Sequence, residues 1–321
     1  MGVKPNEGVG ANNESEGCEN VWGYKMKVLV TGTSGQLGFD VMEELARRGH
    51  EGVGADRSET EAEFEHVRMD ITDADLVMKI VTEIKPDAII HCAAWTNVDG
   101  AEDPAKLEAV RAVNVDGTRN LALAAKSVDA KFVYISTDYV FDGAGSEPWR
   151  PDDKNYAPIN VYGQSKLDGE LEVARILDKY FIVRIAWVFG RNGKNFIKTM
   201  IEVGRKHDVV SVVDDQIGTP TYTVDLARLL VDMIETDKYG YYHATNEGGY
   251  ISWADFAEEI YRVAGMDVKV KHVSTDEYEK IAGKTVARRP FNSRLDKTKL
   301  IDNGFEPLPS WQAAVERFIR S

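Results

Sequence analysis

The chain has 321 residues, 43% of them hydrophobic and 29% charged, and a formal net charge of −14. That length sets an expectation of about two domains of ~150 residues each, and the apolar fraction is enough for a packed core. The acidic balance excludes nucleic acid and an anionic membrane surface as main partners, no apolar run approaches the ~18 residues of a membrane span, and two cysteines, Cys18 and Cys92, fit a reducing, cytoplasmic setting rather than a disulfide framework.

Residues 1–25 are rich in Gly, Asn and Glu and carry no helical or strand period, so they read as a disordered tail. The first strand covers 26–31 and runs into Gly32-Thr33-Ser34-Gly35-Gln36-Leu37-Gly38. A helix follows, with Leu37, Val41 and Leu45 on one face. Strand, glycine-rich turn and helix in that order form the setting of a dinucleotide site. Glycines let backbone N–H groups approach a pyrophosphate at a helix N-terminus, where the dipole favours negative charge. The spacing here is Gly-x-x-Gly-x-x-Gly, and Gly32, Gly35, Gln36, Leu37 and Gly38 are the candidate contacts.

A second strand, 51–55, ends at Asp56-Arg57. An acidic residue there suits a ribose 2′-hydroxyl and an arginine suits a 2′-phosphate, so the sequence does not choose between NADH and NADPH. The next strand ends at Asp70, with Ile71 after it, where an adenine would lie. A helix over 73–84 closes before Pro86. The buried strand 87–94 ends in Ala93-Ala94, small enough for a flat ligand to lie on the backbone, and Thr96 follows. His91 and Cys92 in that run read as packing. One long helix is predicted over 104–127, with Asn114 in its middle, either bonding a backbone carbonyl near the site or facing water.

The strand 131–135 leads to the polar Ser136-Thr137-Asp138, and a helix begins at Tyr162. Tyr162 and Lys166 are four residues apart, so both side chains share a helix face. A phenol beside an ammonium is a proton donor whose pKa the cation lowers toward neutrality. Tyr-x-x-x-Lys alone also describes an ordinary surface helix. Its position after strand-end hydroxyls and downstream of the glycine turn is what favours catalysis. Five strands alternating with helices give an α/β fold with an open, parallel, doubly wound Rossmann sheet. The Gly turn, Asp56, Asp70, Ala93-Ala94 and Ser136-Thr137 all fall at carboxyl strand ends, where ligands bind such sheets.

Beyond residue 190 the alternation weakens. A helix over 195–206 and a strand over 209–213 precede a loop at 215–221; a helix at 224–234 and a strand at 241–244 return to the first domain. Ser252-Trp253-Ala254-Asp255 reads as a capping box. The division is therefore a cofactor domain over 26–190, rejoined by 222–245, and a smaller, discontinuous α+β substrate domain mainly over 191–321. Arg288 and Arg289 are the candidates to meet a diphosphate, since guanidinium binds phosphate oxygens bidentately.

The set Gly32-x-x-Gly35-x-x-Gly38, His91-Cys92-Ala93-Ala94, Ser136-Thr137-Asp138-Tyr139-Val140-Phe141-Asp142-Gly143 and Tyr162-Gly163-x-Ser165-Lys166 resembles the extended short-chain dehydrogenase/reductases. Arg184-Ile185-Ala186-Trp187, Asp215-Gln216-x-Gly218-x-Pro220-Thr221 and Arg289-Pro290-x-Asn292-Ser293 narrow the resemblance to their dTDP-4-dehydrorhamnose reductase branch. It implies hydride transfer from NADPH or NADH to sugar C4, with Tyr162 as proton donor. It also implies that Lys166 holds the nicotinamide ribose, that Thr137 and Asp138 touch the sugar, and that Trp187 packs on it. The dTDP-sugar would be clamped between Trp187 and the loop at Asn292. Some relatives of this kind bind Mg²⁺ at a homodimer contact; Asp40 stands where that contact would begin, without a full ligand set. Two alternatives share the fold: a non-catalytic cofactor-binding subunit like that of methionine adenosyltransferase, and another nucleotide-sugar reductase or epimerase.

Overall fold

The computed structural model describes residues 2, 25–58, 64–283 and 287–321. The expected tail, 1–25, thus lies outside the described residues except for Gly2 and Lys25, and Cys18 lies outside them too. The centre is a seven-stranded sheet of β1 (Lys27–Thr31), β2 (Glu51–Asp56), β3 (His66–Arg68), β4 (Ala88–His91), β5 (Lys131–Thr137), β6 (Tyr180–Ile185) and β7 (Gly240–His243). The order across it is β7-β6-β5-β4-β1-β2-β3, and every pairing is parallel.

Period-two alternation explains the two layers. Val28 and Val30 of β1, Ile90 of β4 and Val183 of β6 pack on one face with the helices Gln36–Arg47 and Thr223–Ile234. Leu29, Ile89, Phe132 and Ile182 face the other side, covered by the helices Ala74–Ile84, Thr118–Ser127 and Val161–Ile176. Strand order reverses between β1 and β4, which opens a crevice at their carboxyl ends.

The 104–127 helix is not continuous. A 3₁₀ turn at Pro104–Lys106 and a short helix Leu107–Arg111 lead into a π-helical stretch Ala112–Gly117, and α-helix resumes at Thr118. The extra residue per turn lets Asn114 leave the helix ladder and clamp the backbone of Trp95, accepting from its N at 2.7 Å and donating to its O at 3.1 Å. Such π-turns collect at functional sites.

A second core surrounds the paired parallel strands Val209–Val213 and Lys269–Val273, under the helices Phe196–Gly204, Trp253–Ala264 and Trp311–Arg320. Ser252 and Asp255 form a reciprocal capping box at the start of the middle helix. Among the described residues, no helix is long and apolar enough to cross a membrane.

Candidate active site

At the end of β1 the chain turns through Gly32, whose φ is +74°. A Cβ there would lie 2.7 Å from the Ala93 nitrogen, and one on Gly38 would lie 2.4 Å from the Gly32 oxygen. Both clashes show why glycine is needed: the turn folds flat against the end of β4 and under its own helix. Gly35 caps the helix Gln36–Arg47 with no side-chain hydrogen bond, which leaves its first N–H groups available to an anion. The Thr33 hydroxyl in this turn is buried and has no partner among the described residues. Leu37 is buried beneath it.

Asp56, at the end of β2, accepts from Ser34 N at 3.2 Å, from the Ser34 hydroxyl, and from Arg57 N at 2.7 Å. Arg57 is exposed beside it, and Arg68 of β3 donates to the Arg57 carbonyl at 3.2 Å. Asp70 accepts from Thr72, and the Ile71 carbonyl accepts from Asn120 at 3.0 Å. Ala93 and Ala94 lie half-buried at the end of β4, and Thr96 is exposed beyond them. These residues gather at the carboxyl ends of neighbouring strands and fit a dinucleotide: a glycine turn, polar groups at the strand ends and small side chains between.

The other wall is the helix Val161–Ile176, capped by Asn160, which accepts from Gly163 N at 2.7 Å. The helix carries Tyr162 and the buried Lys166 toward the ends of β4 and β5. The Lys166 ammonium sits 4.0 Å from the centre of the Tyr134 ring, and burial pulls its pKa down to about 7, opposed by the charge of Glu170. Tyr162 is held above the ordinary phenol value by burial and then by Asp138, while the Thr137 hydroxyl pulls the other way. The sequence led us to expect Lys166 to lower the Tyr162 pKa. Here burial and the Asp138 carboxylate raise it instead.

Asp138 is buried, and burial raises its carboxyl to about 6, with the neighbouring Ser293 and Thr137 hydroxyls pulling the other way. The Thr137–Asp138 bond is 2.9 Å. Among the described residues, Asp138 Oδ2 and the Ser136 hydroxyl are buried with no partner. Unpartnered buried polar atoms are costly, so their concentration here points to a polar ligand. His91 is packed instead: its ring bonds Thr31 at 2.8 Å and Thr118 at 3.2 Å, and burial lowers its pKa to about 3. Burial also keeps the Cys92 thiol protonated, up to about 12.

Trp187 follows β6 with φ +51°, a conformation a bulky residue pays about 1–3 kcal/mol to hold. Arg289 donates to the Ala287 carbonyl and to Asp99, both at 3.0 Å. Arg288 is exposed, and its carbonyl accepts from Asn160 at 2.8 Å. Asn292 is buried, and its amide nitrogen is committed to the carbonyls of Ala144 at 3.2 Å and Glu147 at 2.9 Å. It shapes the 144–147 loop rather than presenting a free donor.

The sequence did not reveal three features: the Asn114–Ser165 bond of 2.9 Å, the Tyr139 ring at 79° and 5.7 Å against Tyr162, and Trp253 behind Trp187. Each joins residues remote in sequence, with no periodic signal. For a divalent cation, Asp40 is buried near Arg191, and burial raises its pKa. Among the described residues the only three-ligand group is Asp255, Glu258 and His272, exposed on the second unit.

Fold and site together define an NAD(P)-binding protein of the extended short-chain dehydrogenase/reductase class. A family model described as the RmlD substrate binding domain matches residues 26–321, and the chain belongs to that family. A dTDP-4-dehydrorhamnose reductase of Streptomyces griseus is 40% identical over 293 residues, covering 89% of this chain and 91% of the relative. A dTDP-4-keto-6-deoxy-D-glucose reductase of Streptomyces niveus is 36% identical over 289 residues, covering 89% and 94%. The crystal structure of dTDP-4-dehydrorhamnose reductase from Bacillus anthracis in complex with NADP superposes with a TM-score of 0.84 at 42% identity, covering 92% of this chain and 99% of that one.

Proposed function

We propose that this chain is an NAD(P)H-dependent oxidoreductase that reduces dTDP-4-dehydro-L-rhamnose to dTDP-L-rhamnose in the cytoplasm. The observation that carries the reading is the half-buried Tyr162, on the helix that also carries Lys166, beside Thr137 and the Asp138 oxygen that has no partner among the described residues. The relatives named dTDP-4-dehydrorhamnose reductase support the substrate. In this reading residues 26–190, with 222–245, hold the cofactor, and the remainder of 191–321 closes over the sugar nucleotide.

Bound along the Gly32–Gly38 turn, the nicotinamide cofactor supplies the hydride. Tyr162 gives its proton to the C4 oxygen as the new alcohol forms. Thr137 holds that oxygen, and Asp138 Oδ2 accepts from a neighbouring sugar hydroxyl. Lys166 holds the nicotinamide ribose and supplies positive charge as phenolate develops. Trp187 offers an aromatic face to the deoxysugar. A single-turnover assay with purified protein, dTDP-4-dehydrorhamnose and NADPH or NADH tests the reading; cofactor binding without turnover would favour the non-catalytic alternative.

Two binding predictions follow from charge. Arg57→Ala should weaken NADPH binding by about tenfold to a hundredfold and leave NADH nearly unchanged, because a lost charge-assisted hydrogen bond costs ~1.5–3 kcal/mol. Fluorescence titration of both cofactors reads this, and an equal loss for both would show that Arg57 does not read the 2′-phosphate. Arg289→Ala should weaken dTDP-rhamnose binding by about one to two decades by calorimetry, with NADPH binding unaffected. Asp99 holds this guanidinium at the seam between the two units, where a protein of net charge −14 needs local positive charge. Equal affinities would remove Arg289 from the site.

A further inference from the structure

The Trp187 side chain is fixed from behind. Its ring stacks on that of Trp253 with centroids 3.8 Å apart and planes 16° from parallel. Its benzo edge lies against Gly218, where a Cβ would come within 3.0 Å of the indole. Its carbonyl accepts from Thr221 N at 3.2 Å, and the Thr221 hydroxyl donates to Ala186 O at 2.6 Å, pinning the left-handed turn. Trp187 packs on two clusters at once, the one around Val140, Phe141 and Leu167 and the core of the second unit. Trp253 opens the helix Trp253–Ala264 directly after the Ser252 cap, so the helix start fixes its position. Phe196 braces it from the side at 4.6 Å.

We propose that Trp253 is a positioning residue for sugar recognition: it occupies one face of the Trp187 indole and holds the other face square to the deoxysugar ring. The inference rests on the proposed reductase function, in which Trp187 meets the sugar. A planar partner can hold the angle of a stacked indole, whereas an aliphatic one of similar bulk fills space without fixing it.

The test compares W253L and W253F with wild type in three readouts: KM and kcat for dTDP-4-dehydrorhamnose, the NADPH dissociation constant, and circular dichroism. Two indoles stacked this closely give an exciton couplet in the far ultraviolet. W253L should raise KM by about two- to tenfold, leave NADPH binding at the wild-type value and abolish the couplet. W253F should recover most of the KM. If W253L no longer binds NADPH, W253M takes its place in the same comparison. A wild-type spectrum without the couplet, an unchanged KM in the aliphatic variant, or an equal loss in W253F would each overturn the proposal. Wild type that binds NADPH yet turns over no sugar would overturn the reductase reading instead; active wild type with an indifferent Trp253 would overturn this inference alone.

Discussion

Tyr162→Phe is expected to lower turnover by about 10²–10⁴-fold, the usual contribution of a positioned general acid. The ring is retained, so its edge-to-face contact with Tyr139 survives and the fold should not change. NADPH affinity should stay near wild type, because the cradle at Gly32–Gly38 does not involve the phenol. Burial and Asp138 hold the Tyr162 pKa above its ordinary value, so the acid is fully protonated at neutral pH before reaction. The proton leaves only as negative charge appears on the substrate oxygen, and Lys166 is placed to offset the phenolate that results. Stopped-flow single turnover with NADPH separates the chemical step from binding. Turnover near wild type in the Phe variant would sink the assignment of Tyr162.

Much of this arrangement was legible in the sequence because it depends on local periods. Alternating apolar residues at Val28-Leu29-Val30 define a two-faced buried strand. The Gly32–Gly38 spacing announces a turn that opens a helix, and four-residue spacing puts Tyr162 and Lys166 on one face. The parallel, doubly wound class of the sheet follows from strands alternating with helices. What stayed hidden are contacts set by tertiary packing. Nothing near Asn114 announces a π-turn; it forms because the Asn114 amide finds the backbone of Trp95 and the hydroxyl of Ser165. Asn292 is conspicuous in sequence as a polar residue in a distinctive motif, yet its amide is spent on holding the 144–147 loop. The direction of the Tyr162 shift was also out of reach, because it depends on how deeply the ring is buried and on the distance to Asp138. A four-residue spacing reports neither.

Arg184→Ala should destabilise the protein by about 3–5 kcal/mol, the cost of leaving one member of a buried ion pair alone. Arg184 and Glu170 are both fully buried and meet through two bonds, of 2.9 and 2.8 Å. The guanidinium also donates to Pro151 O and the Tyr156 hydroxyl, each at 3.1 Å, and lies between the rings of Phe141, Tyr156 and Tyr241. Removing it strands the Glu170 carboxylate without water or partner. Replacing both residues by Met should recover most of the loss, because no charge is then left buried. Function should not recover with it. Burial lowers the Lys166 pKa to about 7, and the Glu170 charge is the first influence opposing that fall. Without Glu170 the ammonium deprotonates at lower pH, so the alkaline limb of the pH–rate profile should move toward acid in the double variant. Denaturant unfolding and the pH dependence of kcat measure the two effects separately. A double variant as unstable as Arg184→Ala would refute the stranded-charge explanation, and an unmoved alkaline limb would show that Glu170 does not tune Lys166.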